Sequence, residues 1–182
     1  MIQFAYNEDD KGDVMSDTKI CSIILNENAE LTLASELIEN TIVKDPFLAD
    51  NFLQILKYLK VYSIKDQAIV NKDKSLATLP IEVSLKNRMG SLQRSQIVKV
   101  LSHHSFSYEI RLDETFCHHR IIFFLYSKLS SAFAMTFGFT KVDNDKKSDY
   151  TDLCAAETDR IVIDIIENEN DHYWLGADIN ES

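Results

Sequence analysis

Glycine and proline are scarce, four and two in 182 residues, which excludes a collagen-like or low-complexity chain. The three cysteines, Cys21, Cys117 and Cys154, are too few and too far apart for a disulfide framework. They fit a reducing compartment, with thiols serving as small apolar side chains. No apolar run approaches the ~20 residues of a membrane helix, and Met1 to Thr18 is acidic and polar, so neither a span nor a signal peptide is visible. The expectation is a cytoplasmic protein without a membrane partner. No glycine-rich phosphate loop or nucleotide fingerprint occurs, so no cofactor is expected. What the chain does have is apolar bulk: 45% hydrophobic residues, including ten Phe and seven Tyr, enough for one domain with a sound core.

Charge is unevenly distributed. The net −10 argues against nucleic acid when taken whole, because phosphate binding needs local positive charge. Met1 to Asn51 carries eleven acids against three bases, and Asp143 to Ser182 sums to −9. Between them, Lys57 to Lys99 holds nine bases against three acids. A basic centre inside an acidic chain suggests a binding region. It is equally served by several solvated faces of mixed sign.

Along the chain, residues 1–18 read as an acidic extension, 19–168 as one domain and 169–182 as an acidic tail anchored at most by Trp174. "KICSIIL" reads as a strand, with Asn26 and Asn28 as caps for a helix through "AELTLASELIENTIV". Asp45 and Pro46 then open a second helix, with Phe47, Leu48, Phe52, Leu53, Leu56 and Leu59 at helical spacing. Residues 64–98 are indeterminate: "ATLPIEVSL" reads as a strand broken at Pro80, and "SLQRSQIVKVL" as a short helix or a strand. "SFSYEIRL" alternates, with Phe106, Tyr108, Ile110 and Leu112 on one face. "DETF" makes a hairpin into "HHRIIFFLYS", which is apolar on both faces like a central strand. A turn at Lys128 to Ser131 leads to a third strand, "SSAFAMTFGFTK". Ser148 caps a final helix, whose "RIVIDII" alternatively reads as an edge strand. The class is α+β, with helices on one face of an antiparallel sheet.

The run "IVKVLSHHSFSYEIRLDETFCHHRIIFFLYSKLSSAFAMTFGFTK", followed by "DYTDLCAAETDR", resembles the RelE/HigB superfamily of bacterial toxins, in its phage-derived HigB-like branch. The residues that carry the likeness are Lys99, Glu109, Arg111, Arg120, Phe123, Phe124, Gly138, Phe139, Lys141, Ala155, Ala156 and Arg160. Val142 stands where that pattern has a second lysine. The resemblance implies an N-terminal strand and helical hairpin packed on an antiparallel sheet, with a C-terminal helix. It also implies a type II toxin: a ribosome-dependent endoribonuclease that cleaves mRNA, held in check by a cognate antitoxin with a helix-turn-helix domain.

Such cleavage needs a base, an acid and positive charge at the pentavalent phosphate. Arg111 and Arg120 suit the phosphate, because a planar guanidinium grips two oxygens. Lys141 is a candidate phosphate contact or base, and His118, sharing strand parity with Arg120, a candidate acid. Lys57, Lys60, Lys86, Arg88, Arg94 and Lys99 are candidate RNA contacts. Each arginine is equally explained by an exposed sheet face and a partner among Glu109, Asp113 and Glu114. No C-x2-C or H-x3-H spacing occurs, and adjacent residues on a strand face opposite ways, so neither histidine pair chelates as a pair and no metal site is expected. Two alternatives stand beside the nuclease. One is a non-catalytic RelE/ParE-like protein that binds gyrase or another protein; the other is an acidic phage or plasmid inhibitor.

Overall fold

The computed structural model describes residues 18–23, 33–126, 132–142 and 149–167. The caps assigned to Asn26, Asn28 and Ser148, the turn at 128–131, the acidic extension up to residue 17 and the tail with Trp174 lie outside them.

The chain is α+β. Strand β1 (Lys19–Ser22) precedes α1 (Leu33–Leu37), which runs into a π-helical turn, Ile38–Ile42, closed by Val43 N–H donating to the Ile38 carbonyl at 2.8 Å. Helix α2 (Pro46–Leu59) begins as expected: the Asp45 carboxylate accepts from the amides of Phe47 and Leu48, and Pro46 fills the first turn, where its missing N–H costs nothing. Residues 64–98 resolve into strands. A small hairpin of β2 (Ser63–Lys65) and β3 (Ala68–Val70) leads to β4 (Ile81–Lys86) and β5 (Leu92–Val100). Then come β6 (Tyr108–Asp113), β7 (Cys117–Tyr126), β8 (Ala132–Val142) and α3 (Asp149–Glu167), so "RIVIDII" is helical. The large sheet has the order β1-β8-β7-β6-β5-β4, antiparallel throughout except for the parallel β1–β8 pair at one edge.

The helices do not share one face, contrary to the expectation from sequence. One core packs α1 and α2 (Leu37, Phe52, Ile55) against Ile110, Ile121, Phe123, Leu125 and Phe133. The other packs α3 (Ala155, Ile161, Ile165) against Ile122, Phe124, Tyr126, Ala134 and Phe137. Strand β7 supplies both, because its successive side chains are apolar and point to alternate faces. Burying both faces demands a helical layer on each. Gly138 permits the close approach of α1: a Cβ there would lie 2.8 Å from Leu37 Cβ and 2.9 Å from Ala34 Cα. Phe106 does not continue the face of Tyr108. It packs with the α3 core, because the loop before β6 is pinned by Asp159, whose carboxylate accepts from the amides of Ser105 at 2.8 Å and Phe106 at 3.1 Å.

Candidate nucleic-acid interface

Strand parity and register gather most of the proposed residues on the α3 side of the sheet. On β6, Glu109, Arg111 and Asp113 alternate onto that face. Across β7, Arg111 lies opposite Arg120 and Asp113 opposite His118; across β8, His118 lies opposite Lys141. Lys99 lies opposite Glu109 on β5. A register shift between Ile81 and Glu82 turns Ile97 and Val98 both into the α2-side core, which leaves Gln96 and Arg94 on the arginine face. Lys86 shares the parity of Ser84 and Glu82 at the far edge. Helix α3 packs against β7 and β8, so among the described residues the β4–β6 part of this face is not covered by a helix. Across the whole strand face from β4 to β8 lie the six cations Lys86, Arg94, Lys99, Arg111, Arg120 and Lys141, with the carboxylates Glu82, Glu109 and Asp113 among them.

The two arginines differ in how far they are satisfied. Arg120 is 5% exposed, and all three of its nitrogens are engaged: Nε lies 3.3 Å from Glu109, itself 5% exposed. One terminal nitrogen is 2.6 Å from Asp113, and the other donates to the His119 carbonyl at 2.9 Å. Arg111 shares the same carboxylates only at 3.6 Å each, and touches the Gln96 side-chain oxygen at 3.4 Å. Its Nε is buried and hydrogen-bonds to nothing among the described residues. Burial alone pushes the Asp113 carboxyl up, but Arg120, Arg111 and His118 together outweigh it and hold the group below its ordinary value. His118 Nδ1 sits 3.0 Å from Asp113, and Lys141 Nζ lies 5.8 Å from the Phe139 ring centroid.

Three proposed contacts are elsewhere. Lys57 and Lys60 belong to α2 and its C-cap, in the layer on the opposite face. Arg88, in the β4–β5 turn, stacks 4.8 Å from the Phe47 centroid and is paired with Asp45 at 2.6 Å and with Glu114. Arg94, which does lie on the arginine face, is exposed and paired with Glu82 at 2.5 Å. The histidines of "SHHS" stay away as well, with His104 facing Asp152 and Asp159 of α3.

A second cluster lies where the sequence, lacking any usual ligand spacing, led to no expectation of a metal site. At the β6–β7 turn, Glu114, Cys117 and His119 converge. Desolvation lowers the His119 pKa, outweighing Glu114, which would raise it. Burial would raise Glu114, but Arg88, Cys117 and His119 prevail and hold it low. The spacing E-x2-C-x-H becomes visible as a set only once the hairpin is known: Glu114 N–H donates to the Cys117 carbonyl at 2.9 Å, and Cys117 and His119 share a face.

Comparisons of this chain with protein-family models, curated proteins and solved structures return no match. Among the described residues, no helix is long and apolar enough to cross a membrane.

Proposed function

We propose that the chain is a RelE/HigB-type toxin that cleaves mRNA at the ribosome, with the arginine face of the sheet as its RNA surface. The observation that carries this reading is Arg111: a partly exposed guanidinium whose carboxylate partners, Glu109 and Asp113, come no closer than 3.6 Å. A phosphate oxygen at its terminal nitrogens would make shorter, charge-assisted hydrogen bonds than Asp113 or Gln96 provides. Arg120 has a different role. Fully engaged, it fixes Glu109 and Asp113 and so positions Arg111 and His118 rather than meeting the substrate. The order of elements, strand then helical pair then antiparallel strands then final helix, agrees with the fold that the resemblance implies.

In the reaction, the 2′-hydroxyl gives its proton to a solvent base as its oxygen bonds to phosphorus and the phosphorus–5′-oxygen bond breaks, leaving a 2′,3′-cyclic phosphate. Arg111 and Lys141 meet the charge that develops on the phosphoryl oxygens. His118, whose Nδ1 lies 3.0 Å from Asp113, transfers a proton to the departing 5′-oxygen. Lys99, Arg94 and Lys86 extend the track for the flanking phosphates. A cognate antitoxin would cover this same face. Inducible expression tests the reading: the wild type should arrest growth and translation, and Arg111→Ala with Lys141→Ala should not.

A second reading, a non-catalytic protein-binding member on the same scaffold, draws on the three carboxylates of that face and the saturation of Arg120. Growth arrest with transcripts left intact would favour it.

A further inference from the structure

We propose that Glu114, Cys117 and His119 form a binding site for a divalent metal of the zinc class, with three protein ligands and a fourth position open to water. Cys117 Sγ lies 3.4 Å from Glu114 Oε2, His119 Nε2 lies 3.6 Å from the same oxygen, and the sulfur and nitrogen are 4.0 Å apart. Ligands around tetrahedral zinc, with Zn–S of about 2.3 Å and Zn–N or Zn–O of about 2.0–2.2 Å, sit roughly 3.3–3.6 Å from one another. Two edges of the triangle already match, and the third needs to close by a few tenths of an ångström. A thiolate, an imidazole and a carboxylate together suit zinc or cobalt rather than magnesium or calcium, which prefer oxygen alone.

The surroundings favour binding. His119 is 3% exposed, and its Nδ1 lies 2.8 Å from Thr140 Oγ1, a contact that fixes the ring and leaves Nε2 for the metal. Arg88 holds the other oxygen of Glu114, so Oε2 is the one presented to the site. The charge of Arg88 is balanced by Asp45 at 2.6 Å, so the two anionic ligands remain to match a dication. Cys117 is half-buried and takes part in no disulfide, so its thiol is available as a ligand. The site lies on the α2 side of the sheet, the opposite face from Arg111 and His118, and is independent of the proposed nuclease function.

The test uses the full chain, stripped of metal under reducing conditions and titrated with Co2+. One equivalent should give the near-ultraviolet thiolate-to-cobalt band and the strong visible absorption of four-coordinate cobalt, both displaced by Zn2+. Cys117→Ser should abolish the thiolate band while leaving the circular dichroism spectrum unchanged. Thr140→Val should weaken binding by roughly ten-fold or more. As a second readout, Zn2+ should slow iodoacetamide labelling of Cys117 in the wild type but not in His119→Ala. Weak six-coordinate spectra, a band that survives Cys117→Ser, or labelling that Zn2+ leaves unchanged would overturn the proposal.

Discussion

Replacing Arg120 with methionine removes the guanidinium that lies 3.3 Å from Glu109 and 2.6 Å from Asp113, at a position where both Arg120 and Glu109 are 5% exposed. Breaking a buried pair by deleting one partner costs about 3–5 kcal/mol, because the other charge stays desolvated. Glu109 keeps Arg111 at 3.6 Å, and Asp113 is open enough to rehydrate, so the lower end, about 3 kcal/mol, applies. A domain of this size loses about 2–4 °C of Tm per kcal/mol, which gives a drop of roughly 6–12 °C. Urea denaturation should show a lower midpoint with an unchanged slope. Adding Glu109→Gln should recover a large part of the loss, because the residue left behind is then neutral. A single variant within about 1 kcal/mol of wild type, or a double variant less stable than the single, would refute the idea that Arg120 serves Glu109. The consequence for the proposed function is direct: Arg120 variants report on folding as much as on activity, whereas Arg111 variants report on the proposed RNA surface.

The two glycines should respond differently to the same change. Gly90, at φ +80° with nothing within 4 Å of an added Cβ, should lose about 1 kcal/mol on Gly90→Ala from backbone strain alone. Gly138→Ala should cost about 1–3 kcal/mol, because α1 has to move off β8, and urea midpoints will rank the two variants. Burial pushes the thiols of Cys21 and Cys154 up to about 11, so at pH 8 each should be alkylated roughly a hundred times more slowly than an ordinary thiol. Mass spectrometry of the labelled chain should therefore find Cys117 modified first, and early labelling of Cys154 would contradict its placement in the α3 core.

Helix α2 was legible because capping and periodicity agree over fourteen residues. The two-faced apolar pattern of β7 was legible too, but the expectation of helices on one face left out the second layer that such a strand demands. Strand β4 was readable from the alternation of Ile81, Val83 and Leu85 with Glu82, Ser84 and Lys86, whereas β5 stayed between helix and strand, because Leu92, Gln93 and Arg94 are all exposed and leave no buried face to pattern that end. The end of α3 was ambiguous by composition; the structure decides it, with Ile161, Val162 and Ile165 buried while Ile163 and Ile166 are exposed. Parity alone placed Arg120 with His118, and the register added Arg111 and Lys141 to that face. Which arginine is saturated depended on side-chain distances that no pattern encodes. The Glu114–Cys117–His119 cluster needed both the turn and the strand face after it.

The central claim is that the uncovered, cation-bearing sheet face acts on RNA phosphates through Arg111. Sequencing the 5′ ends of transcripts after induction, in wild type and in Arg111→Ala, tests it most directly. The account expects new 5′-hydroxyl ends inside translated reading frames for the wild type, and their loss in an Arg111→Ala chain that melts like the wild type. Intact messages in a growth-arrested wild-type culture, or an unchanged cleavage map without Arg111, would contradict it.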